Sequence, residues 1–373
     1  MTNDSFQITY PAVHAGAGKS DISFNRGTPD PVRLLEPGTE HADGRRRFFV
    51  TDATVASLEC MREFTAGFDD GVRGGDCLII LGSGEPYKTM ESVLTIVAAA
   101  VDAGFSRNDM FVGIGGGVIC DITSFAASLF KRGSSVMLVP TTLLAMVDAS
   151  IGGKTGCDFD SYKNMVGTFF PAGRLHYYPE FVQYLPENQY NSGLAEAFKT
   201  ALLYDSELYG IFRGSPDLIK RRDKELLDTI IRRCVRAKAA AVEKDFMERD
   251  TRRLLNLGHT FGHALETVAG LGTVTHGAAV AWGIGRAAAL SFRKEYCREA
   301  FIKELFGILS EYGWNTEPVP AAINGGGAGE RLLAVMHKDK KNMNGRIRLV
   351  LPRGLNDTVI EEFDDNDILS VLR

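Results

Sequence analysis

Short apolar runs alternate with helical stretches through the first half of the chain. Phe48-Phe-Val-Thr, Cys77-Leu-Ile-Ile-Leu, Met110-Phe-Val-Gly and Val136-Met-Leu-Val are apolar on successive residues, the pattern of strands covered on both faces. Between them, residues 90–103 and 122–130 have helical character. Alternation of this kind predicts a parallel, doubly wound α/β sheet. Residues 15–44 mix Gly, Pro, Asp and Arg without a period and read as a surface loop or insertion. The pattern changes near Leu185-Pro186. Beyond it, helical patterns dominate over 193–212, 217–241, 259–269, 278–296 and 300–311, with one strand-like run, Arg346-Ile-Arg-Leu-Val-Leu, near the end. The expected organisation is an α/β domain over 1–186 and a mostly α-helical domain over 187–373.

A length of 373 residues agrees with two cores rather than one. Hydrophobic content of 45% and charged content of 24% are those of a soluble globular protein. The net charge of -5 and the lack of a long basic block argue against nucleic acid as a partner. The cysteines (Cys60, Cys77, Cys120, Cys157, Cys234 and Cys297) are scattered and read as reduced thiols. Met1-Thr-Asn-Asp-Ser-Phe lacks a basic stretch followed by an apolar one, so no signal peptide is expected, and apolar runs such as 95–103 are far shorter than a membrane span. A cytoplasmic protein without a membrane partner is expected.

The chemistry concentrates in one run, Pro140-Thr-Thr-Leu-Leu-Ala-Met-Val-Asp148-Ala-Ser-Ile-Gly-Gly-Lys154-Thr-Gly, continued by Tyr162-Lys163-Asn164-Met-Val-Gly167. It has little bulk to bury, glycines that let backbone approach a ligand, and lysines that call for an anion. Asp148, Lys154, Lys163 and Asn164 are therefore expected to wall a site for a small anionic molecule.

Met110-Phe-Val-Gly-Ile-Gly115-Gly116-Gly117-Val-Ile-Cys-Asp121 sets glycines between a strand and a helix. Such a junction is either a tight turn or a phosphate site, where bare N–H groups and a helix N-terminus face an anion. The spacing departs from GxGxxG. Gly82-Ser-Gly-Glu85-Pro-Tyr-Lys88 follows a second strand and Asp52 ends a third. Together these strand ends favour a dinucleotide. In Asn256-Leu-Gly-His259-Thr-Phe-Gly-His263-Ala-Leu-Glu266 the two histidines share a helical face, as zinc ligands on one helix do, and His276 follows. No glutamate follows His259, so this is not a zinc-protease motif. A carboxylate from elsewhere is the natural further ligand. His14, His41 and His176 read as capped or core imidazoles. Glu196 and Lys199 have the spacing of a solvated ion pair, yet Glu196 is flanked by Leu194, Ala195, Ala197 and Phe198. From spacing alone Lys238, Arg252, Lys338, Lys340 and Lys341 are surface charges.

Read in order, GGGVICD, PTTLLAMVDASIGGKTG, YKN, LAEAFK, LLNLGHTFGHALE and HGAAVAWG resemble the 3-dehydroquinate synthases of the sugar-phosphate cyclase superfamily, from about Phe48 to the end. The resemblance implies an NAD-binding α/β domain, a helical domain, an active site in the cleft between them, and a homodimer. It implies Zn2+, with Co2+ as a substitute, on Glu196, His259 and His276, which takes His263 out of the ligand set and gives it a substrate-phosphate contact. Cofactor contacts fall on Asp52, Ser83, Gly84, Glu85, Lys88, Gly115, Gly116, Gly117, Val118, Asp121, Thr141, Thr142, Lys154, Lys163, Phe181 and Tyr184. Substrate contacts fall on Asp148, Lys154, Asn164, Lys199, Lys238, Arg252, Asn256, His263 and Lys341, with Asp148, Lys154, Lys199 and His263 as catalytic residues. Arg132 matches an arginine that reaches the partner subunit's site.

The implied activity converts a small anionic sugar phosphate, 3-deoxy-D-arabino-heptulosonate 7-phosphate, into 3-dehydroquinate and phosphate by transient oxidation, elimination, re-reduction and aldol closure. The chain departs from the family at Thr123-Ser124-Phe125, at Gly277-Ala278, in the run from Cys157 to Tyr162, and at Tyr184. The alternatives are a sister cyclase acting on sedoheptulose 7-phosphate or glucose 6-phosphate, a non-catalytic relative, or a metal-dependent alcohol dehydrogenase of related fold.

Overall fold

The computed structural model describes residues 4–10, 18–26, 45–68, 70–160, 162–270, 272–323, 325–338 and 346–373. The chain divides into two compact units. One comprises Met1–Leu185 with Lys238–Met247, the other Pro186–Ala237 with Glu248–Arg373.

The N-terminal unit is built on an eight-stranded sheet. Its strands in chain order are β1 (Asp4–Thr9), β2 (Lys19–Phe24), β3 (Arg47–Asp52), β4 (Val72–Arg73), β5 (Asp76–Leu81), β6 (Met110–Gly115) and β7 (Ser135–Pro140). A separate hairpin of β8 (Lys154–Phe159) and β9 (Tyr162–Phe169) follows, and β10 (Arg174–Tyr177) returns to the main sheet. The order β1-β2-β10-β7-β6-β3-β5-β4 is parallel from β2 to β5, and the edge strands β1 and β4 pair antiparallel. Every residue of β6 is buried, as the unbroken apolar run requires of a strand covered on both faces. The helix Met90–Asp102 is opened by Thr89, which accepts from the Ser92 amide, and it buries Val93, Ile96 and Ala100 at helical spacing.

Residues 15–44 are not all loop. Lys19–Phe24 forms β2, whose alternate residues Ser20, Ile22 and Phe24 are buried. Its polar face hides the strand from a composition reading. Residues 15–17 and 27–44 lie outside the described residues. The helix expected over 122–130 runs Gly117–Leu129 and so begins at the glycines.

The second unit is mostly helical. Its helices include Glu187–Tyr204, Ser206–Gly214, Pro216–Lys220, His259–Ala269, His276–Arg293, Glu299–Glu311 and Ala328–Lys338. The helix Lys224–Lys244 starts in this unit. The strand-like run near the end is half of a hairpin, β11 (Ile347–Gly354) with β12 (Asp357–Phe363). Among the described residues, no helix is long and apolar enough to cross a membrane, and all cysteines are free thiols.

Candidate active site

In the N-terminal unit, β7, β6, β3 and β5 are parallel neighbours, so their C-terminal ends form one sheet edge. The chain runs from β3 out to β5, then returns past β3 to β6. That reversal opens a crevice at the ends of β3 and β6, where such sheets bind nucleotides. Asp52 ends β3, Ser83 and Gly84 follow β5, Gly115 ends β6, and Thr141 and Thr142 follow β7. Asp52 Oδ1 accepts from the Val55 amide at 3.0 Å and from Ser83 Oγ at 3.1 Å, locking two strand ends together. The Thr141 amide donates to Gly115 O at 2.9 Å and ties the other two.

Gly116 precedes the helix Gly117–Leu129 without any side-chain cap, so the opening amides of a thirteen-residue helix, among them Val118, suit an anion. A Cβ on Gly116 would stand 3.1 Å from Thr142 Cγ2, and one on Gly115 would stand 2.5 Å from Ile119 Cβ. The glycines keep this cradle open, and it fits a dinucleotide's pyrophosphate. Phe181 is buried against Tyr178, and Tyr184 is exposed beside Cys60.

Beside the cradle, polar residues form a network. Lys88 is 7% exposed; its Nζ lies 2.7 Å from Asp121 Oδ2 and donates to Asn164 Oδ1 at 2.6 Å. Burial alone would lower its pKa, but Asp121 and Glu85 raise it, so the ammonium is retained. Asn164 has φ 54°, and its amide donates to Asp158 Oδ1 at 2.7 Å. Lys163 lies 3.6 Å from Glu85, and the exposed Lys154 opens β8. The buried Lys238 donates to Asp148 at the carbonyl oxygen (2.5 Å) and at Oδ1 (2.8 Å). It is therefore not the surface charge that its spacing suggests. Arg132 is exposed, and it and Lys131 have φ values of 67° and 47°.

The second unit holds the other candidates. The middle of the helix Glu187–Tyr204 is buried almost all round, and Glu196 and Lys199, one turn apart, are each 1% exposed. The solvated-pair reading is thus overturned. Lys199 Nζ lies 2.5 Å from Glu196 Oε2, while Glu196 Oε1 lies 3.5 Å from His276 Nε2 and 3.8 Å from His259 Nε2. Among the described residues, neither carboxylate oxygen receives a hydrogen bond of good geometry. Burial alone would push the Glu196 carboxyl up, but the charges of Lys199 and His276 hold it at about 2. His276, also penalised by burial, is drawn up to about 9 by Glu196 and Glu266.

Close helix packing assembles this cluster. A methyl on Gly277 would collide with the Ser192 carbonyl, and one on Gly283 with the Gly258 carbonyl. Gly258 itself has φ 79° at the start of the helix His259–Ala269. These glycines bring His276 and His259 to the Glu196 face.

Glu196, His259 and His276 each offer one donor atom within 4.8 Å of the others, and a second such group is His263, Glu266 and His276. The first group fits a divalent cation better. Its carboxylate is buried and faces imidazole nitrogens, whereas the exposed His263 leads the second. The shared helical face of His259 and His263 therefore misleads, because the better partner of His259 comes from the next helix. Arg252 is 1% exposed, and Asn256 Nδ2 donates to Glu248 Oε1 at 2.7 Å. Lys341 lies outside the described residues. The sequence reading missed Asp158, Glu248 and Glu266, each of which holds a candidate residue in place. Only their position inside or beside motif runs marked them.

Models of the 3-dehydroquinate synthase N-terminal and C-terminal regions match residues 78–192 and 193–342. The 3-dehydroquinate synthase of Pelobacter propionicus is 37% identical over 361 residues, covering 96% of this chain and 97% of the relative. That of Thermococcus kodakarensis is 36% identical, covering 90% of each. Among solved structures, 2-epi-5-epi-valiolone synthase of Streptomyces hygroscopicus subsp. jinggangensis, with NAD+ and Zn2+ bound, matches at TM-score 0.83 and 29% identity over 97% of each chain. A 2-deoxy-scyllo-inosose synthase with carbaglucose-6-phosphate, NAD+ and Co2+ shares the fold at TM-score 0.84 and 21% identity over 99% of each. The fold is that of the sugar-phosphate cyclases. The chain belongs to the 3-dehydroquinate synthase family.

Proposed function

We propose that the chain is a carbon–oxygen lyase that converts 3-deoxy-D-arabino-heptulosonate 7-phosphate into 3-dehydroquinate and inorganic phosphate. The observation that carries this reading is the buried Glu196 carboxylate facing His259 and His276, in a chain 37% identical to a dehydroquinate synthase across 96% of its length. Glu196, His259 and His276 would hold Zn2+ or Co2+, and the β3–β6 edge with Gly115, Gly116 and Gly117 would hold NAD. When bound, the nicotinamide supplies reversible hydride transfer and the cation polarises the hydroxyl being oxidised.

The chain's own residues bind and orient. In the proposed reaction a transient ketone would acidify the neighbouring C–H, whose proton would leave with the departing phosphate; return of the hydride, ring opening and an intramolecular aldol step would then close the carbocycle. In the N-terminal unit Lys154 and Asn164, the latter held by Lys88 and Asp158, would bind anionic groups of the substrate, and in the second unit His263 would contact its phosphate. Arg252, whose guanidinium suits a bidentate fork, and Lys238, held by its Asp148 anchor, would each bind a carboxylate. Asn256, fixed by Glu248, Lys199, fixed by Glu196, and Lys341 complete the contacts. Binding both ends of the substrate fixes the reacting centre.

The homodimer implied by the resemblance belongs to the same proposal. Left-handed backbone at both Lys131 and Arg132 costs energy in non-glycine residues, and it supports a dedicated role for Arg132 toward a partner.

Phosphate release from the heptulosonate, sedoheptulose 7-phosphate and glucose 6-phosphate tests the assignment. Turnover of the heptulosonate alone is expected, and Arg252→Ala should lower its kcat/KM about a hundredfold, as loss of a buried charged contact of roughly 3 kcal/mol predicts. Efficient turnover of a neutral sugar phosphate with the heptulosonate ignored would instead identify a sister cyclase.

A further inference from the structure

We propose that Glu266 is a positioning residue that sets the tautomer and aim of His276 for the cation. This rests on the reading of Glu196, His259 and His276 as a metal centre. An imidazole can present only one nitrogen to a metal, and the group on its other nitrogen decides which. His276 opens its helix, and its Nδ1 lies 3.2 Å from Glu266 Oε2. Its Nε2 is the atom facing Glu196 Oε1, at 3.5 Å. Glu266 is 5% exposed and accepts the Nδ1–H, leaving the Nε2 lone pair for the cation. His259 follows the same rule with a weaker acceptor, since its Nδ1 donates to the Leu257 carbonyl at 3.2 Å. The two ligands thus differ. One is oriented by a neutral carbonyl, the other by a buried carboxylate that also makes the imidazole a stronger donor.

The competing donor group of His263, Glu266 and His276 would use Glu266 as a ligand instead. The two roles make different predictions. Glu266→Gln preserves shape and removes charge. As a positioning residue, Glu266 requires this variant to bind Zn2+ about 10- to 100-fold more weakly in competition with a fluorescent chelator. The visible spectrum of bound Co2+ should shift, and the melting temperature of the metal-free protein should stay near wild type. Glu266→Asp, which keeps the charge, should recover part of the affinity. It also serves as the second variant if the glutamine protein fails to fold.

Wild-type affinity and an unshifted Co2+ spectrum in Glu266→Gln, while His259→Ala and His276→Ala lose the metal, would overturn the positioning role and leave the metal centre standing. Full metal content in both histidine variants would overturn the metal centre itself. Retention in His259→Ala with complete loss in Glu266→Gln would make Glu266 a ligand and overturn both.

Discussion

Glu196 stays ionised in a nearly waterless position because cations meet it from both sides. Lys199→Met removes one of them, and breaking a buried pair costs about 3–5 kcal/mol. Zn2+ brings replacement positive charge, so the variant should lose more melting temperature without Zn2+ than with it. Equal losses in paired thermal melts would show that Lys199 does not stabilise the Glu196 charge. At the cofactor edge, Gly116→Val would drive methyl groups toward Thr142, whose Cγ2 already stands 3.1 Å from where a Cβ would sit. NAD affinity should fall at least tenfold with the fold intact, and an unchanged titration would remove the pyrophosphate from this cradle. Glu196 could be picked out from sequence because a charged residue stands there among apolar neighbours. His276 could not be chosen over His263 by spacing, because helix periodicity reports on one helix while the donor group of Glu196, His259 and His276 spans three.

Elements were legible where burial is two-sided. β3, β6 and β7 are unbroken apolar runs and show as strands. β2 and β10 carry Lys19, Asp21, Arg174 and His176, so their burial comes from pairing that only the folded sheet supplies. The glycine-rich run after Pro140 also has a structural reason besides ligand approach. Gly156 and Gly167 pair across the β8–β9 hairpin, where a methyl on either would meet the opposite backbone. The same logic governs the metal-side helices. Gly277→Ala must separate its helix from Ser192, at a cost of about 1–3 kcal/mol of overpacking. It should weaken Zn2+ binding although it alters no ligand; unchanged affinity in a chelator titration would show that this contact does not set the donor spacing.

Asp205 caps the helix Ser206–Gly214 through the Leu208 amide and pairs with Arg233 at 2.8 Å through both oxygens. Burial would raise its pKa, but the hydrogen bonds from Arg233 and the Leu208 amide pull it below the usual range. A depressed pKa contributes stability above the ordinary carboxylate pKa and loses it as pH falls through the lowered one. The gap in unfolding free energy between wild type and Asp205→Asn should therefore be full at neutral pH and close in acid. A pH-independent gap would mean that the charge contributes nothing.

At the scale of the whole molecule, length pointed to two compact units, and the parallel sheet followed from the strand–helix rhythm. The dehydroquinate synthase signature lay in strings of glycine, histidine and lysine. The polar network around Lys88 did not show, since its members lie far apart in the chain. The backbone-to-backbone seating of Gly277 and Gly283 has a further consequence. Both glycines seat backbone against backbone through protein contacts alone, so the fold should form without the metal and the metal should load onto it afterwards. A chelated sample should keep its far-ultraviolet circular dichroism and regain activity on adding Zn2+ or Co2+, whereas a metal-dependent fold would unravel. A protein folded in this way would be silenced by metal scarcity without being sent to the proteases that clear unfolded chains.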